Sequence, residues 1–183
     1  MSVIKIITPP ACEPLTLTEA QIYLRTDEDI SALITAAREW CEDYQGKKYI
    51  TQTLELILDS FPETIEFRNC SPVQSITSIK YTDYTGLEST IETSEYILDN
   101  DSFVNRIVTS YGKAWPSVLL QAINGVRVRF IAGYGSESAV PQSVKQAMIL
   151  QIRLLYNYYS PDEREKLERA RDALLGMRRV VPV

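Results

Sequence analysis

Histidine is absent from this chain of 183 residues, so the side chain that most often serves as a general base or metal ligand is missing. Imidazole-dependent nucleophilic triads and imidazole acid–base catalysis are therefore excluded. Three cysteines, Cys12, Cys41 and Cys70, lie far apart and form no Cys-x-x-Cys pair, which argues against a structural zinc site. Their odd number and wide spacing are typical of reduced thiols in a cytosolic protein.

Two segments each match part of a different ligand-binding motif. Ser110–Ala114 contains a Gly-Lys pair, but the first glycine and the closing Ser/Thr of a phosphate loop are missing. Asp99–Ser102 begins like a calcium loop, yet no glycine or distant glutamate follows in register, so we expect a turn between strands. Helix caps and solvated faces explain nearly all carboxylates; the open alternative is an acidic pair in a cleft, as a hydrolase would use. The sequence predicts no catalytic residue, cofactor or metal ion.

Two arginines lie on one side of the segment Val126–Ala132, whose alternation predicts a strand. Its valines and Phe130 should face a core, while Arg127 and Arg129 face outward. The arginines either bind phosphates or, in the interpretation we prefer, cover a sheet edge or pair with carboxylates across a subunit boundary. Gly133-Tyr134-Gly135 follows, and its glycines should permit the backbone angles of a hinge between layers.

Tyrosines are frequent, with eleven in the chain. Tyr156, Tyr158 and Tyr159 crowd one predicted helix end, where amphipathic rings suit a protein interface. Packing in the core is the alternative for these three rings.

Helices are predicted at both ends of the chain. Thr16–Glu19 fits a capping box for a first short helix. A second helix should open at Asp27 or Asp29 and end at Gly46. The third, 142–159, follows Pro141 and is apolar on most sides, which suggests surplus surface for neighbouring copies to cover. Ser160–Glu163 is a second capping box, and the last helix should end at Gly176.

Between the helices the hydrophobic period changes to two. Short alternating runs and turn residues such as Asp83–Gly86 indicate an antiparallel sheet. We therefore predict an α+β fold: a bundle of about four helices with an antiparallel β subdomain inserted between the second and third long helices. The predicted single domain, 1–183, comprises a helical part (15–48 and 141–176), the β subdomain (50–135) and a C-terminal tail (177–183).

Charge and hydropathy narrow the class of protein further. The net charge of −5 argues against a protein that wraps nucleic acid by neutralising phosphates. No run approaches the length that crosses a bilayer, and MSVIKIITPP lacks the features of a signal peptide.

Several segments, taken in order, resemble one protein family. They are Thr8–Ala11 with Glu13-Pro14, Leu17–Ala20 with Leu24-Arg25, Leu33–Trp40, Ile50–Thr53, Leu58–Pro62, Trp115-Pro116, Val126–Phe130, Ala132–Gly135, Pro141 and Lys145–Ala147. Together they are similar to the head–tail connector (adaptor, or head-completion) proteins of tailed bacteriophages, prophages and gene transfer agents. The resemblance covers roughly residues 8 to 159 and depends on the order and spacing of the segments.

The resemblance implies a non-enzymatic structural protein of the virion, present in the bacterial host cytoplasm during assembly. Such a protein forms a ring, generally of about twelve copies, under the portal protein. It extends the channel through which double-stranded DNA passes without sequence-specific binding, and it offers a docking surface to a stopper or tail-completion protein. No membrane or cofactor is implied. The alternatives are a stopper or tail-completion protein of the same assembly, and a DNA-packaging accessory protein.

The chain departs from the family pattern near its carboxyl end. Family members often end the third helix with a Trp-Tyr-x-Asn-Arg-like sequence, whereas this chain has Leu155–Tyr159. The charged fourth helix and the tail therefore inherit no assignment. We hypothesise that the tail docks on a partner such as the portal. The candidate residues at subunit or portal interfaces are Arg127, Arg129, Tyr156, Tyr158, Tyr159, Arg178, Arg179, Val180 and Val181.

Overall fold

The computed structural model describes residues 2–177 and Arg179, and in this part of the chain the protein is α+β, as predicted. The helices are α1 (Leu17–Leu24), α2 (Ser31–Gln45), α3 (Gln142–Tyr156) and α4 (Pro161–Gly176). The strands are β1 (Ser2–Thr8), β2 (Gln52–Leu58), β3 (Ile65–Glu66), β4 (Val73–Thr82), β5 (Glu88–Ile91), β6 (Tyr96–Asp99), β7 (Arg106–Thr109) and β8 (Val126–Ala132). None of these helices is long and apolar enough to cross a membrane.

The described residues form two compact units. The β unit contains the residues up to Pro9 and Gln52–Gly133, and the helical unit contains Pro10–Thr51 and the residues from Tyr134 onward. Strands β2 to β8 lie between α2 and α3 in the sequence, which agrees with the predicted insertion of a β subdomain between these helices. The β unit also includes β1, a strand that the sequence analysis did not assign.

Strand β8 lies at the centre of the main sheet. This sheet has the order β1-β2-β8-β4-β5, all neighbours are antiparallel, and a smaller sheet has the order β3-β7-β6. Val126, Val128 and Phe130 are fully buried, and Phe130 packs on Phe67 with ring centroids 4.6 Å apart. Arg127 and Arg129 alternate with them and are partly solvent-exposed. The predicted separation of an apolar and a charged face is confirmed.

Strand β1 forms an edge of the main sheet. It pairs with β2 in an antiparallel register that sets Ile4 opposite Leu56 and Lys5 opposite Glu55. The apolar and β-branched residues of Ser2–Thr8 favour a strand. This composition is the sequence signal from which β1 could have been predicted.

The helical unit buries its core between α2, α3 and α4. The core includes Ala37 and Cys41 of α2 with Val144, Met148 and Ile152 of α3, each at most 1% exposed. Helix α3 ends at Tyr156, so the predicted extension to 159 is wrong. Its apolar sides are also covered inside the unit, apart from Leu155, which is 47% exposed. The predicted apolar surplus on this helix is therefore largely absent.

Local signals at the helix ends were mostly interpreted correctly. Thr16 and Glu19 bond reciprocally, as do Ser160 and Glu163, so both capping boxes are confirmed. The predicted start of α2 is wrong: the helix begins at Ser31, and its N-cap Ile30 has no side-chain cap. Asp29 accepts from the Ser31 amide (3.0 Å) one position before the cap, because its carboxylate closes a local turn there.

The Gly-Tyr-Gly segment has the expected backbone. Gly133 and Gly135 have φ of 122° and 130°, which side chains disfavour. The division between the two units falls after Gly133. Within the helical unit, Tyr134 donates its amide to the Tyr49 carbonyl (2.9 Å) and stacks on the Tyr49 ring. The assignment of this segment as a hinge stays a prediction.

Candidate interaction surfaces

A carboxylate lies between the two arginines on the outward side of the main sheet. The register of β2 and β8 sets Glu55 directly opposite Arg129, two residues along from Arg127. Glu55 accepts from Arg127 Nη1 through Oε2 (3.2 Å) and from Arg129 Nη2 through Oε1 (2.9 Å). The arginines therefore pair with a carboxylate of their own chain. Contact with a neighbouring subunit stays a prediction for both.

The burial of these three side chains is unequal. The Glu55 side chain is 8% exposed, whereas those of Arg127 and Arg129 are 40% and 45% exposed. A nearly buried carboxylate requires compensation, which the two guanidinium groups supply. One negative charge against two positive charges leaves one positive charge uncompensated. Glu55 thus orients both arginines at the surface through one hydrogen bond each.

A second ion pair lies beside this cluster. Lys80 of β4, opposite Arg127 in register, donates to Glu88 of β5 at 2.7 Å. The hydrogen bond from Lys80, its charge and the more distant charges of Arg127 and Arg129 hold the pKa of the Glu88 carboxyl below its usual value. A hollow of about 320 Å³ opens among these groups. Its lining is Glu55, Ser78, Lys80, Thr82, Glu88, Gln121, Arg127 and Arg129.

We name this surface the basic sheet face. Its charged residues are Lys5, Glu55, Lys80, Glu88, Arg127 and Arg129; Lys5 is exposed and faces Glu55 across β1 and β2. Four cations and two carboxylates give it a surplus of two positive charges in a chain whose net charge is −5.

Residues 83–101 have the opposite character. They contain six carboxylates and no Lys or Arg, and we name them the acidic segment. Asp99 accepts from the Ser102 hydroxyl (2.7 Å) and from Arg106 Nε (2.9 Å). These bonds lower the pKa of Asp99 to about 2, with the Ser102 hydroxyl as the largest cause. Asp99 therefore stabilises the β6–β7 turn, as expected from the incomplete calcium motif.

The three candidate tyrosines have different environments. Tyr156, the last residue of α3, donates its hydroxyl to Glu28 (3.0 Å) and hydrogen-bonds the Thr26 hydroxyl (3.0 Å). Tyr159 is half-buried and accepts from the Asn157 amide at 3.3 Å. Tyr158 is 105% exposed. Only Tyr158, of these three, presents a whole ring to a partner.

A stack of cations and aromatic rings holds the end of the described chain. The Arg171 guanidinium lies 3.7 Å from the centroid of Trp40, Trp40 stacks on Tyr44 at 5.2 Å, and Arg179 lies 4.4 Å from the Tyr44 centroid. Such contacts are favourable between a guanidinium and an aromatic face. Arg179 is thus engaged within the helical unit. The other candidates in the tail, Arg178, Val180 and Val181, lie outside the described residues.

The most buried carboxylate of the helical unit is Glu42, which is 2% exposed. It accepts from the Tyr49 amide (2.8 Å), Lys48 Nζ (3.1 Å) and Arg38 Nη1 (3.4 Å). Because these donors compensate its charge, the arrangement is that of a buried structural ion pair.

The thiols and the potential metal-binding side chains show no reactive or ligand-binding arrangement among the described residues. Burial raises the pKa of the Cys41 thiol to about 12, which disfavours the reactive thiolate. Cys70 is also buried, and Cys12 is exposed. Among the residues that the structure describes, no group of three His, Cys, Asp or Glu side chains could hold a metal ion.

Sequence reasoning found the arginines of the basic sheet face and missed their partners. Glu55, Lys80 and Glu88 come from three strands, and only strand order and register bring them together. The alternation of β2 predicted that Glu55 lies on the face opposite to Leu54 and Leu56. This was the one sequence signal that Glu55 shares a face with the arginines. Likewise, nothing local links Trp40 to Arg171 across 131 positions.

Comparison with known proteins gives matches among solved structures alone. No protein-family model matches the chain, and no curated protein matches it. A chain in the virion of a native gene transfer agent (GTA) particle is 21% identical with a TM-score of 0.75, over 98% of this chain and 96% of that chain. Two further chains are each 22% identical to this protein. One is in the neck of an empty GTA particle computed with C6 symmetry, and the other is in the neck of a native GTA particle computed with C12 symmetry. Their TM-scores are 0.77, over 99% of this chain and 97% of those chains. These chains share one fold over nearly their whole lengths.

Proposed function

We propose that this protein is a structural component of the neck of a tailed phage or phage-like particle. The observation that carries the proposal is the likeness of fold over 99% of the chain to chains of a GTA particle neck. Both units are matched, so the β unit is part of the shared architecture. The sequence resemblance to head–tail connector proteins points to the same role independently.

In finer detail, we propose an adaptor that forms a ring under the portal protein. The ring extends the DNA channel and offers a surface to the next tail component. Neck structures computed with C12 and C6 symmetry support a cyclic arrangement for the similar chains. A ring needs heterologous contacts that close, so each subunit must present two different lateral surfaces. We assign these roles to the basic sheet face, which includes Glu88, and to the remaining carboxylates of the acidic segment.

A non-enzymatic role agrees with the chemistry of the described residues. The two carboxylates beside the hollow, Glu55 and Glu88, each have a cation partner at 3.2 Å or less. A hydrolase would need an acidic pair that is free to exchange protons with a substrate. An acidic net charge also suits a channel through which DNA must move, because attraction to phosphates would retain the genome.

The test is incorporation into particles. In a host that lacks the gene, particles complemented with the wild-type chain should contain it in stoichiometric amount at the neck, and uncomplemented particles should lack joined tails. Cryo-electron microscopy of complemented particles would show whether the chain contacts the portal, as an adaptor does, or lies one layer further, as a stopper does. Wild-type chain absent from complete particles would refute the proposal.

A matched pair of variants probes the interface. Tyr158→Ala removes a fully exposed ring two residues after the end of α3, and Ile22→Ala removes an exposed side chain (70%) from α1, outside the candidate interfaces. Neither substitution opens a cavity, so both chains should melt like the wild type. We expect reduced incorporation for Tyr158→Ala and normal incorporation for Ile22→Ala.

A further inference from the structure

We propose that the basic sheet face binds the acidic segment of a second copy of this chain, and that this contact joins subunits head to tail. The inference rests on the proposed function in assuming a ring, and it names the two surfaces that close it. The structure supplies the donor surface, the acceptor surface and their charges.

The donor surface is oriented by contacts within the chain. Glu55 engages one N–H group from each arginine, and a guanidinium carries five, so most donors of Arg127 and Arg129 are not used by Glu55. Both side chains line the hollow, together with Lys80. Holding flexible side chains in position reduces the entropy that binding would otherwise lose. The hollow therefore suits a carboxylate with little rearrangement.

The charge distribution within the β unit favours a second copy as the occupant. Outside the basic sheet face, the unit has eight carboxylates and three cations. The carboxylates are Asp59, Glu63, Glu66, Asp83, Glu92, Glu95, Asp99 and Asp101, and the cations are Arg68, Arg106 and Lys113. Opposite charges on two surfaces of one chain give complementarity between copies. DNA is the less favoured occupant, because the net charge of −5 repels it.

Two residues of the acidic segment are the specific candidates. Glu88, Glu95 and Asp99 each have a cation within the chain. Glu92 and Asp101 are exposed and form no ion pair among the described residues. They belong to a different set of residues from the basic sheet face, as a heterologous contact requires.

A charge swap tests the proposal. The face-reversed variant carries Lys5→Glu and Lys80→Glu. The segment-reversed variant carries Glu92→Lys and Asp101→Lys, which reverses the charge at the two contact positions while the other four carboxylates of the acidic segment remain. All four positions are at least partly exposed, and the buried Glu55 with its arginines is left intact. Thermal melts monitored by circular dichroism would confirm that both variants fold.

Assembly of each variant, alone and mixed, is measured by native mass spectrometry with the portal protein present. Each variant alone should assemble at least about tenfold less well than the wild type, because the substituted side chains then meet contact partners of like charge. An equal mixture should assemble well, since the substituted positions of one variant meet oppositely charged positions of the other in alternating order. If the mixture assembles no better than its components, or if the single variants assemble normally, the proposal is overturned.

Cross-linking gives a second readout with an internal control. A carbodiimide joins a lysine amine to a carboxylate in direct contact, so Lys80 and Glu88, 2.7 Å apart, should link within one chain. In an assembled mixture of isotopically heavy and light chains, Lys80 should also link to Glu92 or Asp101 of the other isotope. The internal link without any link between chains would overturn the proposal.

Two outcomes separate this inference from its alternatives. Salt-sensitive binding of a short DNA duplex that is lost in the face-reversed variant, without links between chains, would assign the face to phosphates and overturn the proposal. Normal incorporation of both variants into particle necks would overturn the contact while leaving the proposed function standing. If assembly depends on the charges as expected but particles do not contain the chain, the contact stands and the proposed function is refuted.

Discussion

The Glu55 cluster gives the sharpest test of how the β unit is stabilised. Arg127→Gln and Arg129→Gln each remove one of two partners from a carboxylate that is 8% exposed. Each arginine is itself nearly half-exposed, and the remaining one still compensates Glu55. Each single substitution should therefore lower the free energy of unfolding by about 1 kcal/mol or less, as for exposed ion pairs.

The double substitution should behave differently. It leaves the Glu55 carboxylate nearly buried and without either of its two ion-pair partners, a situation that typically costs about 3–5 kcal/mol. The loss should thus exceed the sum of the single losses by about 1–3 kcal/mol, within the range of coupling energies between residues that share a partner. Adding Glu55→Gln to the double variant removes the uncompensated charge. We expect that third change to restore about 2 kcal/mol or more.

Urea unfolding of the four variants measures these differences. The fluorescence of Trp115 reports on the β unit, because its ring stacks on Phe61 with centroids 5.1 Å apart. A Trp40→Phe background removes the other tryptophan, which belongs to the helical unit. If the two single losses are simply additive, or if Glu55→Gln lowers the stability of the double variant further, the carboxylate is not held by these arginines and the reasoning is refuted.

Three further predictions follow from local geometry. Gly125→Ala should lower the free energy of unfolding by about 1–3 kcal/mol, because a Cβ there would lie 2.8 Å from the Asp59 carbonyl oxygen. The matched control, Gly176→Ala, meets nothing within 4 Å and should be neutral or slightly stabilising in urea unfolding. Under native conditions iodoacetamide should label Cys12 alone, since the other two thiols are buried; mass spectrometry that finds all three labelled would contradict the burial. The pKa of Asp99 is about 2 in the folded chain against an ordinary 3.8, so its contribution to stability is present above about pH 4 and is lost as the pH falls towards 2. Asp99→Asn should flatten the dependence of Tm on pH in that window, and an unchanged profile would show that Asp99 is not the responsible group.

Features set by neighbours in the sequence could be predicted well. Both capping boxes, the αL cap at Gly46 and the alternation of β8 depend on residues a few positions apart, and all are present in the structure. The start of α2 was misplaced because Asp29 lies one residue before the N-cap Ile30 and accepts from the amide of Ser31, the first helical residue. Local patterns indicate that a helix begins near an acidic residue but do not show which residue is the N-cap.

Features set by distant residues could not be predicted. Arg127 was correctly placed on an outward face, but its partner Glu55 lies 72 positions away and is brought there by strand pairing. The same holds for α3, whose apolar sides suggested contact between copies. In the structure, α2 and α4 cover the apolar sides of α3. The periodicity of one helix does not show which other helix packs against it. The register of the sheet adds Glu55, Lys80 and Glu88 to the surface that carries the two arginines.

Strand β1 has a practical consequence for handling the protein. It lies at the end of the strand order with Val3, Ile6 and Ile7 between 42% and 57% exposed, and Lys5 is its one charged residue. An open apolar edge invites pairing with any extended peptide, and a lysine in its middle is a common deterrent. Neutral substitutions at Lys5 should therefore make concentrated samples prone to fibrous precipitation, whereas a glutamate keeps them soluble.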